Sequence, residues 1–237
     1  MIVRTDQESL ILITQPDHAA LAASMMTVWQ DGGLSASPRR DLVLLATRAH
    51  DDGWIEEDRH PSVDPTTGAV LDFKALPDAA RQGVWPRAVK RLASTPYAAA
   101  LVAEHAIEVY ASLRSRDGWG PFFDTMEQLR DAYLAAAAPY TLDELKSDYW
   151  FLRMADLLSL AFCNDWTEPM QFGAYRFQVE GRSLTVSPDP FGGREIPVHV
   201  TGRRVPGERY DSGHEVARAL ASAPVVAITG VVRGAAA

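Results

Sequence analysis

The residues best suited to chemistry in this chain are histidines and aspartates that fall on separate predicted helices. Histidine occurs at six positions. Imidazole and carboxylate groups together make the mixed nitrogen and oxygen ligand sets that suit Zn, Mn, Ni or Fe. A metal held among helices needs ligands from several of them. The sequence therefore predicts one divalent metal site, and its predicted ligands are His18, His50, Asp51, His105 and Asp156.

Two of these residues stand in strongly apolar stretches. His105 lies within residues 101–109, and Asp156 lies within residues 152–160. A carboxylate inside such a helix is costly unless it is paired or bound to a cation. Arg153 stands three residues before Asp156, on the same helical face, so an ion pair is the alternative to a metal at this position.

Charged residues close to the predicted ligands are candidates for the reaction itself. Asp52, or a glutamate of the loop that follows it, can take a proton from an attacking water. Arg153 can stabilise negative charge in the transition state. Three further cations are candidates for binding an anionic group: Arg48, Arg59 and Lys74. The alternative interpretation is that they are ordinary solvated charges.

Helices are predicted to position these side chains. Apolar spacing and cap signals predict helices that begin near Pro16 and Pro38, and others over 78–93, 95–115, 121–137 and 141–163. The last of them begins with a capping-box pattern, Thr141 and Glu144. Residues 53–77 are predicted to form a long loop, and loops of this length are often functional.

The composition changes near residue 167, where alternating residues replace helical spacing. Residues 174–179 and 183–186 predict a hairpin, and further strands are predicted at 196–200 and 225–229 around a short helix at 212–221. The predicted fold class is therefore mainly α. A helical metal-binding domain would cover residues 1–167, and a small antiparallel β appendage would cover residues 168–237.

Charge and hydropathy narrow the class of protein. The formal net charge of −8 argues against a general nucleic-acid binder. The single cysteine, Cys163, excludes an intramolecular disulfide. Neither a signal peptide nor an apolar run of the roughly 20 residues that span a bilayer is present. We therefore expect a cytoplasmic protein with a small-molecule substrate and with neither nucleic-acid nor membrane partners. The sequence leaves a homo-oligomer open.

The order of the predicted ligands resembles the HD superfamily of helical, metal-dependent phosphohydrolases. His18 is followed by the doublet His50-Asp51 and then by a late helical Asp156. The resemblance implies an HD-like helical bundle in which these four residues are the primary metal ligands. It also implies that Asp51 can bridge two ions.

Two phrases resemble a bacterial family more closely. Gln15-Pro16-Asp17-His18-Ala19 and His50-Asp51-Asp52-Gly53-Trp54 are similar to the domain of unknown function family 3891. That similarity runs over most of the chain and includes its β-rich end. It brings no established activity.

The HD resemblance implies hydrolysis of a small phosphoester or a related anionic metabolite. Two alternatives stay open. One is a di-iron oxygenase, since some relatives activate dioxygen with two irons that are held by four histidines and two aspartates. A ligand set of that size in this chain requires His60 as well as His105. The other alternative is a non-catalytic protein that binds a metal or a ligand. His60 falls early, in the predicted loop, which is a departure from the two-metal pattern.

Overall fold

The structure is a computed structural model that describes residues 1–236, of which about 50% are helical and 20% are in strands. The helices are α1 (Gln15–Thr27), α2 (Arg40–Ala49), α3 (Ile55–Arg59), α4 (Asp78–Arg91), α5 (Pro96–Val109), α6 (Gly120–Ala136), α7 (Leu142–Asn164) and α8 (Gly213–Ser222). A single 3-10 turn, Asp52–Trp54, connects α2 to α3. No helix within residues 1–236 is long and apolar enough to cross a bilayer.

The strands form one sheet. They are β1 (Ile2–Asp6), β2 (Ser9–Ile13), β3 (Met170–Phe172), β4 (Tyr175–Glu180), β5 (Ser183–Ser187), β6 (Glu195–Pro206) and β7 (Val225–Gly234). Their order across the sheet is β1-β2-β6-β7-β5-β4-β3. All neighbouring strands run antiparallel except β5 and β7, which are parallel.

The predicted fold class is wrong, because it treats the sheet as a minor part of the fold. The seven strands form a curled, mixed half-barrel that is a major part of the molecule, not a small antiparallel appendage on a helical bundle. The N-terminal hairpin belongs to it, because β2 pairs with β6 from Ser9 opposite Pro206 to Leu12 opposite Arg203. This pairing joins opposite ends of the chain, and local alternation cannot reveal a strand's partner.

Helices and sheet share one hydrophobic core. Met25 of α1 and Leu152 of α7 belong to the same buried cluster as Ile13 of β2, Phe177 of β4 and Val198 of β6. The sheet therefore crosses the predicted boundary at residue 167, and the burial that stabilises it is continuous with that of the helices.

The predicted helices are confirmed with small shifts at their ends. The helix predicted over 95–115 ends at Val109, and the capping box of Thr141 and Glu144 is formed at the start of α7. Ser37 before Pro38 matches the cap-then-proline pattern in the sequence, but α2 begins at Arg40 and has no side-chain cap. The loop predicted over 53–77 contains the short helix α3.

Four helices meet around one point in the core. α1 packs on α2 and α7, and α5 packs on α2 and α7. The α5 helix is buried at every position from Tyr97 to Ile107, so it is the central helix of this group. A side chain on its inner face therefore meets side chains from the other three helices.

Candidate metal centre

All five predicted ligands lie together in this core. The ring centroids of His18 and His50 are 5.2 Å apart, and those of His50 and His105 are 4.9 Å apart. The Nε2 atom of His18 lies 2.6 Å from Asp51 Oδ2, and His50 Nε2 lies 3.5 Å from Asp156 Oδ1. None of the five residues exposes more than 5% of its surface.

The donors form two overlapping groups that share His50. One group joins His50 with His18 and Asp51, and the other joins it with His105 and Asp156. In each group the donor atoms lie within 4.8 Å of one another. The structure thus brings donors from four elements to one place, although the five residues span most of the helical part of the chain.

The surroundings of His50 Nε2 show whether these residues fit a cation. Its Nε2 atom is buried and has no hydrogen-bond partner among residues 1–236. The nearest carboxylate oxygens, of Asp51 and Asp156, are both 3.5 Å away, beyond the length of a strong charged hydrogen bond. Three imidazoles and two carboxylates around such an atom fit a divalent ion such as Zn, Mn, Ni or Fe.

Local sequence explains how the first half of the cluster is placed. The Thr14 side chain accepts a hydrogen bond from the amide of Asp17, and Pro16 occupies the first turn, so α1 begins just before His18. His50 ends α2, and Asp51 precedes the 3-10 turn. The change of direction at this helix end allows two adjacent residues to face the same point.

A further set of residues orients two of the imidazoles. His50 donates from Nδ1 to the Thr47 carbonyl, 2.7 Å away. His18 Nδ1 lies 2.8 Å from the hydroxyl of Ser159, which itself bonds to the Asp156 carbonyl. In both rings Nδ1 is engaged outward and Nε2 is turned toward the carboxylates, as is usual for metal-ligating histidines.

Burial and charge set the protonation states of the cluster. Burial disfavours the charged form of His50, but Asp51 and Asp156 outweigh it and raise its pKa to about 9. Burial lowers the pKa of His105 to about 3. Burial also opposes ionisation of both carboxyls, yet the neighbouring histidines hold their pKa values below the usual range. The carboxylates are therefore ionised, and His105 is neutral.

A cavity of about 300 Å³ adjoins the cluster. Asp51, His105 and Asp156 line it, and its other charged lining residues are all cations: Lys74, Arg81 and Arg153. Arg153 Nη1 is 2.6 Å from Asp156 Oδ2, so one guanidinium contacts both a predicted ligand and the cavity. The remaining lining is mostly aromatic and aliphatic.

Several predicted residues lie outside this cavity. Asp52 is half-buried but does not line it, and burial raises its pKa despite the nearby cations Arg48 and Arg91. Arg48 and Arg59 do not line it either. His60 is exposed at the end of α3 and belongs to neither donor group. The six-ligand set of the oxygenase alternative is therefore not assembled among residues 1–236.

Sequence reasoning missed three residues around the site. Ser159 stands three residues after Asp156 on one helix, and this spacing was a usable signal. Thr47 gave none, because it contacts His50 through its backbone carbonyl, which a residue of any type would provide. Arg81 carried no such signal, because its place in the cavity depends on how α4 packs against the turn that follows the His50-Asp51 doublet.

A comparison with protein families gives a match over most of the chain. The family described as protein of unknown function (DUF3891) matches residues 1–207, which include all five predicted ligands and every residue that lines the cavity. No curated protein and no solved structure matches the chain. Since the match covers well over half of the sequence, the chain belongs to the DUF3891 family.

Proposed function

We propose that this protein is a metal-dependent hydrolase of a small phosphoester or a related anionic metabolite. One observation carries the proposal: five buried donors, His18, His50, Asp51, His105 and Asp156, adjoin a cavity whose other charged lining residues are cations. The donors would hold the divalent ion, and the cations would attract an anionic substrate.

The order of the donors supports a relationship to the HD phosphohydrolases at the level of the site. The first histidine, the His-Asp doublet and the late aspartate keep that order along the chain, and their side chains converge. His105 adds a third imidazole from α5. Two ionised carboxylates this deeply buried are costly, and a bound cation offsets that cost.

The residues of the cavity have distinct roles in this proposal. A divalent ion held by the five donors would act as a Lewis acid and would make an attacking water more acidic. Arg153, anchored on Asp156, orients the phosphoryl oxygens and stabilises charge that develops on them. Lys74 and Arg81 favour entry of an anion. Asp52 has no direct part, because it does not line the cavity.

Hydrolysis balances without any further reactant. The water oxygen bonds to phosphorus, the bond from phosphorus to the ester oxygen breaks, and the departing oxygen takes a proton that the water supplied.

Activity on a panel of phosphoesters tests the proposal. The full chain would be assayed with added Mn, Mg, Zn, Ni or Fe, beside Asp51→Asn and the control His60→Ala, which alters an exposed histidine. We expect turnover by the parent and by His60→Ala, and at least a 100-fold loss in Asp51→Asn. Absence of turnover across the panel would leave a non-catalytic binding protein as the better description. Oxygen consumption by an iron-loaded protein that requires His60 would favour the oxygenase.

A further inference from the structure

Two pairs of aromatic side chains form walls of the cavity, beside its charged lining residues. Trp54 packs on Phe73 with ring centroids 6.1 Å apart, and Trp85 packs on Tyr110 with centroids 6.0 Å apart. All four rings line the cavity, and both indoles are almost wholly buried. Binding of an inorganic or simple alkyl anion does not require aromatic surface of this extent.

The walls are held in place by a close backbone contact. A side chain at Gly53 would overlap the carbonyl oxygen of Val84, so the turn after the doublet lies directly on α4. The residues next to this contact, Trp54 and Trp85, both reach the cavity. The Trp85 ring is 5.3 Å from the His105 ring, so this wall begins at the donor cluster itself.

A cation lies against each wall. Lys74 Nζ is 5.4 Å from the centre of the Phe73 ring, and the Arg81 guanidinium is 5.8 Å from the centre of the Tyr110 ring. The ring faces and the cations together suit a ligand that is both flat and negatively charged. Aliphatic side chains complete the lining: Val109, Leu113 and Leu160.

Several buried polar atoms of the cavity lining also lack hydrogen-bond partners among residues 1–236, those of Trp54 and Gln15 among them. The indole nitrogen of Trp54 and the amide oxygen of Gln15 have no hydrogen-bond partner among residues 1–236. Both residues line the cavity and are no more than 2% exposed. Leaving such groups unpaired is costly, and a ligand with a polar edge would satisfy them.

The size of the cavity limits the ligand. A dry cavity of about 150 Å³ accepts benzene, and this cavity measures about 300 Å³. One aromatic ring with one phosphoryl group therefore fits. A peptide or an oligonucleotide would not be enclosed.

We propose that the substrate is an aryl ester of a phosphorus oxyacid, whose flat ring lies between the Trp54–Phe73 and Trp85–Tyr110 walls while its anionic group lies at the donor cluster and Arg153. This inference rests on the proposed function and names its substrate class. The ring gives apolar contact with the walls, and a polar substituent on it meets the unpaired groups of Trp54 and Gln15.

Binding of non-hydrolysable probes tests the inference without a need for turnover. Calorimetry of the metal-loaded full chain would compare inorganic phosphate, methylphosphonate and phenylphosphonate. We expect phenylphosphonate to bind about 10-fold tighter than methylphosphonate. Contacts between aromatic rings contribute about a factor of 10 in the dissociation constant. Of the three probes, we expect only phenylphosphonate to quench the tryptophan fluorescence of the protein.

Matched variants locate the ring. Phe73→Leu alters a half-buried phenylalanine of the wall, and Phe172→Leu alters a half-buried phenylalanine that stacks on Trp150 away from the cavity. Phe73→Leu should reduce the preference for phenylphosphonate at least 3-fold, and Phe172→Leu should leave it unchanged. Melting curves of both variants verify that each is folded.

The outcomes separate this inference from the proposed function. Equal affinity for methylphosphonate and phenylphosphonate would overturn the aryl assignment and leave the hydrolase proposal standing. Loss of the preference in Phe172→Leu but not in Phe73→Leu would also overturn it. Failure of the chain to bind Mn, Mg, Zn, Ni or Fe would instead overturn the hydrolase proposal.

Discussion

The hydrogen bond between Ser159 and His18 has only one direction open to it. The Ser159 hydroxyl is 2.9 Å from the Asp156 carbonyl, and a carbonyl only accepts, so the hydroxyl proton is donated there. The same oxygen is 2.8 Å from His18 Nδ1 and must accept from that nitrogen. His18 therefore carries a proton on Nδ1. Its Nε2 atom lies 2.6 Å from Asp51 Oδ2, a contact that requires a proton between the two atoms until a cation takes its place.

The first prediction is that Ser159→Ala weakens metal binding about 10- to 100-fold by freeing the orientation of His18. Thr47→Val is the matched control. It also removes a buried hydroxyl that donates to a backbone carbonyl, that of Val43, and it leaves the Thr47 carbonyl in place for His50. Competition titration with a chelating dye measures both affinities. Equal losses in the two variants would show that Ser159 has only a packing role.

The second prediction concerns Arg153. Arg153→Met should lower affinity for inorganic phosphate about 10-fold or more, because it removes the guanidinium that contacts both Asp156 and the cavity. Stoichiometric metal binding should persist, since Arg153 supplies no donor to the ion. Arg48→Met, outside the cavity, is the control. Unchanged phosphate affinity in Arg153→Met would exclude its anion-binding role.

The third prediction is that metal affinity rises with pH. In the metal-free protein the carboxylates Asp51 and Asp156 raise the pKa of His50 to about 9 against the effect of burial, so a proton occupies Nε2 at pH 7. A metal ion must displace that proton. Calorimetry in buffers of different ionisation enthalpy should show proton release at pH 7 and tighter binding at pH 9. Affinity independent of pH would contradict this account.

The same raised pKa of His50 makes the folding stability of the metal-free protein fall as pH rises, whereas metal affinity rises. The folded-state pKa of about 9 lies above the value of about 6.5 for an unfolded histidine. The stabilisation is therefore complete below pH 6.5 and is lost as pH rises through 9. With chelator present, the urea midpoint should be lower at pH 9 than at pH 6.5.

The fourth prediction concerns the contact that holds the walls of the cavity. Gly53→Ala should lower the free energy of unfolding by about 1–3 kcal/mol, because the new methyl overlaps the Val84 carbonyl and backbone must move. Gly83→Ala, in the middle of α4 with no close neighbour but the flexible end of Arg87, should raise it by about 0.5–1 kcal/mol. Chemical denaturation measures both. A neutral Gly53→Ala would mean that the turn separates from α4 readily.

Much of the candidate site was predictable because its signals are local. His50-Asp51 at a helix end, and Asp156 in an apolar helix, stand out from their neighbours in sequence. The helices that position them follow from apolar spacing and caps, such as that of Thr141. The roles of Asp52 and His60 could not be settled in this way, because their distance from the cavity depends on the direction the chain takes after Asp51.

The sheet was predicted only in pieces, for a similar reason. The hairpin of β4 and β5 is local and follows from a turn at Gly181. The pairing of β2 with β6, and the parallel pairing of β5 with β7, join distant segments. Alternation shows that a segment is a strand and which face is buried, but it does not identify the neighbouring strand.

Metal content tests the central claim most directly. Plasma mass spectrometry would compare the purified parent with His50→Ala/Asp51→Ala and with His60→Ala, after incubation with Zn, Mn, Ni and Fe and removal of free ions. The account predicts near-stoichiometric metal in the parent and in His60→Ala, and little in the double variant. Absence of metal from the parent, or equal metal in all three proteins, would contradict it.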